Sequence, residues 1–326
     1  MQRLRERTNG YTVTPAQYLI VAWVALGALA VIVATGAAVR LTGSGLGCPT
    51  WPRCYGHVYP PLNTHAVIEF SNRLLTVPLC IAAGAAWVLA LRRRPRRRDL
   101  VWIGGMLPLG VVGQAVLGGF TVKGALDYGW VMAHFGLSML ILIAAVMLVW
   151  RAGREPEDLQ APPAVDRTVL RMIRGLVGMA ALAIFAGTAA TAAGPHAGGS
   201  PGQKINRMDF DGTGTMDFVI HRHAEIAFVF SLLVLGTWFL ARRRRAPEGV
   251  QRPLTALCVL LALQGIVGLD QYYTHLPTEL VWVHVCLACA SWITALWTGF
   301  ASGALERRSS RLAADRPVDG RLGAVA

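Results

Sequence analysis

Eight long apolar runs constrain this chain more than any other feature. They lie at about 17–39, 66–91, 100–122, 129–150, 169–193, 219–241, 253–271 and 279–304. Each is near the ~20 residues that an α-helix needs to cross a hydrocarbon core of ~30 Å. Continuous runs, rather than short alternating ones, predict helices and exclude a barrel of strands. Composition points the same way: 54% of residues are hydrophobic and 15% charged, with mean hydropathy +0.46, whereas a soluble domain carries roughly a quarter charged residues. The reading is an all-α integral membrane protein with eight transmembrane helices. No small-residue cleavage site separates the first run from GSGLGCP, so it is read as a retained span and not a removed signal peptide.

The net charge of +13 sits in bursts such as LRRRPRRRD and ARRRRAP. On a soluble chain this excess would suggest nucleic acid. In short loops between spans it suits a cytoplasmic membrane surface with anionic lipid, and no nucleic-acid partner is expected. Of the 31 Lys and Arg, 24 fall in the two tails and the loops on one side, and five (Arg40, Arg53, Lys123, Lys204, Arg207) on the other. Retention of positive charge predicts cytoplasmic termini and an even number of spans in the plasma membrane.

The sequence also repeats itself. Gln114 precedes His134 by the same twenty residues that separate Gln264 from His284, and GAAVRLTGSG from Gly36 resembles GTAATAAGPHAG from Gly187. The offset is 150 or 151 residues. Two pseudo-symmetric four-helix units are therefore expected, residues 1–155 and 156–326.

Ionisable and polar groups inside the spans are the functional candidates, because hydrocarbon makes them costly. Glu69, Asn72 and Arg73 begin the second span, His134 the fourth, His221, Arg222, His223 and Glu225 the sixth, and His284 the eighth. All these spans run inward, so each candidate lies within ~10 Å, about two helical turns, of the extracytoplasmic boundary. Imidazoles projecting inward from facing helices are a usual means of holding a haem iron. A lone membrane histidine more often makes an inter-helix hydrogen bond, but His134 and His284 occupy equivalent repeat positions. His221 and His223 point about 200° apart, so one of them faces the interior. The repeat carries Asn72 onto His223, which makes His223 the first choice and His221 the alternative. His57, His65, His196 and His275 are read as solvated loop or span-edge residues, and Asp127, Glu225, Asp270 and Glu279 as interfacial. Glu69 shares a helix face with Asn72 and Arg73. Either Glu69 and Arg73 satisfy each other, or the carboxylate stands over a substrate.

Cys80, Cys258, Cys286 and Cys289 lie in spans as packing thiols. Cys48 and Cys54, in CPTWPRC, lie on the oxidising face, where a structural disulfide and a redox-active pair are both open readings. A zinc site is poorly supported, since the second half has no matching cysteines.

Taken together, GSGLGCPTWPRC, IEFSNR, GGFTVKGALDYGWVMAHF, AAGPHAGG and QYYTHLPTELVWVH resemble the haem A synthase (heme A synthase) family. The resemblance implies a membrane oxidoreductase that converts the C8 methyl of haem O into the formyl group of haem A for cytochrome c oxidase. It implies successive hydroxylations, with a haem b cofactor in the carboxyl half and haem O in the amino half. His284 and His223 (or His221) would be axial ligands of the cofactor haem, and His134 would serve the substrate haem beside Asn72 and Arg73. Glu69 would be the essential acid, and Cys48 and Cys54 the outer-loop disulfide. Implied partners are the farnesyltransferase that makes haem O, an electron acceptor such as a quinone, and further copies of the chain in a homo-oligomer.

One position departs from that pattern. The family has a histidine three residues after the acid, where this chain has Asn72. A bis-histidine site from the second and fourth spans is thereby lost, and an open axial position opposite His134 is expected. The competing readings are a two-haem quinol electron carrier, which would need two complete histidine pairs, and a transporter, which would carry broken helices at the midplane.

Overall fold

The computed structural model describes residues 11–160, 165–200, 202–210 and 214–305. Its eight long helices are α1 (Pro15–Leu41), α2 (Thr64–Arg92), α3 (Arg98–Lys123), α4 (Tyr128–Ala152), α5 (Arg167–Ala193), α6 (Thr215–Arg243), α7 (Glu248–Tyr273) and α8 (Thr278–Ala301). All eight are long and apolar enough to cross a membrane. A single helical turn, Pro156–Gln160, precedes α5. Among the described residues there is no strand, only two isolated bridges.

The long helices begin before their hydropathic runs, and polar side chains cap four of them, α1, α2, α4 and α5. Thr14 and Gln17 form a capping box at α1, Asn63 accepts from Ala66 N at α2, and Asp166 accepts from Thr168 N at α5. At the other end of the chain α8 stops at Ala301, short of the apolar run, where Gly303 takes φ +76°.

Helices α1, α2, α3 and α4 pack in a ring, each against the next and α4 back on α1; α5, α6, α7 and α8 do the same. The seam is made by α8 on α1 and α4 and by α4 on α5. Within the first ring, small residues let backbones approach: a Cβ on Gly104 would come 2.9 Å from the Ala86 carbonyl. Tyr18 also donates to that carbonyl at 2.9 Å. Across the seam Trp292 donates to Met139 O at 3.0 Å, and Trp282 to Ala34 O at 2.9 Å. Trp297 stacks on Trp23 and meets Trp150 edge-on. Backbone carbonyls thus satisfy donors that would otherwise be costly to place in an apolar seam.

Loops at the helix ends that carry the polar candidates are also tied together. Arg40 donates to His196 O (2.9 Å) and Thr191 O (3.1 Å), Gly45 N to Gly198 O, and Ser200 Oγ to Gly43 O. The two rings are thus fastened by loop hydrogen bonds as well as by aromatics.

Candidate functional site

The helices bring the repeated polar residues to matching depths. His134 and His284 are each the seventh residue of their helix, and Asn72 and His223 each the ninth. His223 and His284, on diagonal helices of the second ring, meet with ring centroids 6.1 Å apart and planes at 78°. Each imidazole lies over a glycine of a neighbouring helix. A Cβ would stand 3.1 Å from the His223 ring at Gly187, and 3.5 Å from His284 at Gly268 and from His134 at Gly118. Sequence reasoning missed these glycines, although the identical spacing of Gly118 to His134 and Gly268 to His284 is visible in it. Nδ1 of His134 and of His284 is buried without a hydrogen-bond partner.

These facts bear on what the pair can hold. Histidine nitrogens bind metals at about 2 Å, so two imidazoles sharing one metal have centroids about 6 Å apart once each ring's half-width is added. Among the described residues no group of three or more His, Cys, Asp or Glu is placed to hold a bare ion. An iron already held by the four nitrogens of a porphyrin needs only two further ligands, and two imidazoles at this separation fit that requirement.

His221 is placed differently. It is exposed, its Nδ1 lies 2.7 Å from the Asp217 carbonyl, and its ring meets Tyr272 edge-on. Of the outer histidines, His57 and His275 are exposed. His65 and His196 are half-buried, and this corrects the solvated reading: His65 Nδ1 pairs with Ser44 Oγ at 3.0 Å and His196 Nε2 with Leu276 O at 2.7 Å. Their signal was absent from sequence because both partners come from elsewhere in the chain.

Glu69, Arg73 and the cysteine loop form one unit on α2. Glu69 is buried; its Oε2 accepts from Cys48 N at 2.6 Å and its Oε1 from Arg73. Arg73 also donates to the carbonyls of Cys48 (2.9 Å), Thr50 (3.0 Å) and Pro52 (3.3 Å), and its guanidinium lies over Trp51. Cys48 and Cys54 form a disulfide, and both are fully buried. The ion pair read as one alternative from sequence is therefore present, and it anchors the loop. Trp51, so held, covers Gly119 of α3, where a Cβ would stand 2.7 Å from its ring. On α3, Gln114 donates to His134 O (3.0 Å) and Ser138 Oγ (2.7 Å), fixing the turn of α4 that carries the imidazole.

A protein named heme A synthase from Shouchella clausii is 33% identical over 74% of this chain and 80% of its own length. Another of that name from Ruegeria sp. is 27% identical over 83% and 84%. A protein named protoheme IX farnesyltransferase from Thermus thermophilus is 26% identical over 85% of this chain but 46% of its own length. The chain thus spans about half the length of some curated relatives it matches. Residues 19–296 match the family described as cytochrome oxidase assembly protein. With a match of that extent over an eight-helix membrane fold, the chain belongs to the cytochrome oxidase assembly protein family.

Proposed function

We propose that this membrane protein is a haem A synthase, oxidising the C8 methyl of haem O to a formyl group. The observation that carries the reading is the His223–His284 pair, 6.1 Å apart, in a family whose relatives bear that name. His223 and His284 would hold a haem b iron in the carboxyl half (156–326), a group that would supply one-electron transfer. His134 would hold the iron of haem O in the amino half (1–155), with Asn72 and Arg73 beside it. Exposure of His221 and its bond to Asp217 O support His223 as the second cofactor ligand.

Within the amino half, Glu69 would be the catalytic carboxylate, its fixed negative charge stabilising positive charge that develops on the substrate. Because both its oxygens are hydrogen-bonded, the carboxylate is positioned before substrate enters. Arg73 is a positioning residue, holding Glu69 and the 48–54 loop together. The buried disulfide supports a structural role, since thiol exchange requires access to sulfur. The basic loops support cytoplasmic termini and a site on the extracytoplasmic side of the plasma membrane. Likeness to less than half of a protein named for farnesylation supports a place in the same haem pathway.

Expression in a host that makes haem O but not haem A, followed by chromatography of extracted haems, tests the reaction. The formyl product is expected, and Glu69→Ala should abolish it while leaving cofactor haem in place. Haem O alone from a well-expressed, haem-loaded protein would overturn the assignment.

A further inference from the structure

The two rings differ at one pair of equivalent positions. In the second ring, the imidazole of His223 fills the space over Gly187. In the first ring, the corresponding residues are Asn72 and Gly36, and a Cβ on Gly36 would meet nothing within 4 Å. Asn72 Oδ1 is buried with no hydrogen-bond partner. An amide ends well short of the ring nitrogen with which a histidine there would reach a metal, so open space at Gly36 and an unspent amide oxygen remain. Across this ring, on the diagonal helix, His134 sits over Gly118 at the depth at which His284 sits over Gly268.

We propose that the first ring holds its haem iron through His134 alone and that the Asn72–Gly36 side is a binding pocket for a small exogenous axial ligand. The ligand class is water or a neutral diatomic gas, hydrogen-bonded by the Asn72 amide, which has both donors and an acceptor. The second ring is coordinatively closed by two imidazoles. One iron of the two is therefore open to external ligands, and the polarity of its distal side governs what it binds. This inference rests on the assignment of haem to both rings.

Carbon monoxide is the probe. The full-length protein, purified in detergent and saturated with haem, is reduced and titrated with the gas. About one equivalent per two haems should bind, and the ferric protein should show one high-spin and one low-spin haem. Asn72→His should close the site, abolishing gas binding and converting the high-spin signal to low-spin. Asn72→Ala should keep binding but release the gas about two- to tenfold faster, the value of one lost hydrogen bond. Gly36→Leu, which touches no ligand, should weaken binding by filling the pocket.

Two low-spin haems with no gas binding in the parent protein, or identical behaviour of the parent and Asn72→His, would overturn the proposal. Gas uptake equal to both haems would do so as well, because the second ring would then be open too. The chromatographic assay separates this from the functional assignment. Haem A made by a protein that takes up no gas refutes the open site alone, whereas gas uptake without haem A refutes the reaction alone.

Discussion

Glycine-to-alanine substitutions under the imidazoles give a graded test, because the same added methyl meets a different neighbour at each position. At Gly187 the new Cβ would lie 3.1 Å from His223 Cε1, with Nδ1 at 3.5 Å and Nε2 at 3.6 Å. Carbon pairs are most stable at about 3.5–4.0 Å, so the ring must move by a few tenths of an ångström. At Gly268 the distance to His284 Cε1 is already 3.5 Å, and at Gly36 there is no neighbour within 4 Å. Alanine gains about 1 kcal/mol of helix propensity at each site. Overpacking costs about 1–3 kcal/mol, and only Gly187 incurs it. The net change is therefore about 0–2 kcal/mol unfavourable at Gly187, concentrated on a ligand, and neutral or favourable at the other two. Since 1.4 kcal/mol is tenfold in affinity, Gly187→Ala should weaken cofactor haem binding by up to about thirtyfold. Gly268→Ala and Gly36→Ala should leave it within about twofold. Haem titration of the purified variants, with the low-spin ferric resonance recorded alongside, measures both affinity and ligand geometry. An unchanged spectrum and affinity in Gly187→Ala, or equal losses in all three variants, would refute the packing argument.

The ligand assignment predicts a sharp contrast: His284→Ala should lose the cofactor haem spectrum, whereas His221→Ala, which removes an exposed ring, should retain it. Loss of the spectrum in His221→Ala would reverse the choice between His221 and His223. For the outer loop, the double change Cys48→Ser and Cys54→Ser should destabilise the protein by about 2–4 kcal/mol. Thermal denaturation in detergent would read this, with activity and abundance falling together; activity lost at full abundance and stability would instead identify a redox-active pair.

Much of the fold was legible because each span answers to the lipid by itself. Helices α1 to α8 start and stop within a few residues of the apolar runs, and the differences arise at caps such as Thr14 and Asp166, which hydropathy does not weigh. The candidate site was legible as a set of residue types. His134, His284, Asn72 and His223 stood out because polar groups in hydrocarbon are costly and because the repeat aligned them. Glu69 was visible too, but its circumstances were not: the hydrogen bond from Cys48 N joins residues 21 apart in sequence, and no periodicity encodes it.

The sequence by itself determined the membrane class, the eight helices, the internal repeat and the short roster of polar side chains able to act. Each of these depends on local composition and spacing, because transfer of a segment into lipid is decided residue by residue along that segment. Only the tertiary structure decided that His223 rather than His221 turns toward His284, that Gly187, Gly268 and Gly118 underlie the rings, and that Glu69 and Arg73 fasten the disulfide loop. Those outcomes depend on the rotation and depth of one helix against another, which side-chain packing between distant segments sets and no single segment specifies.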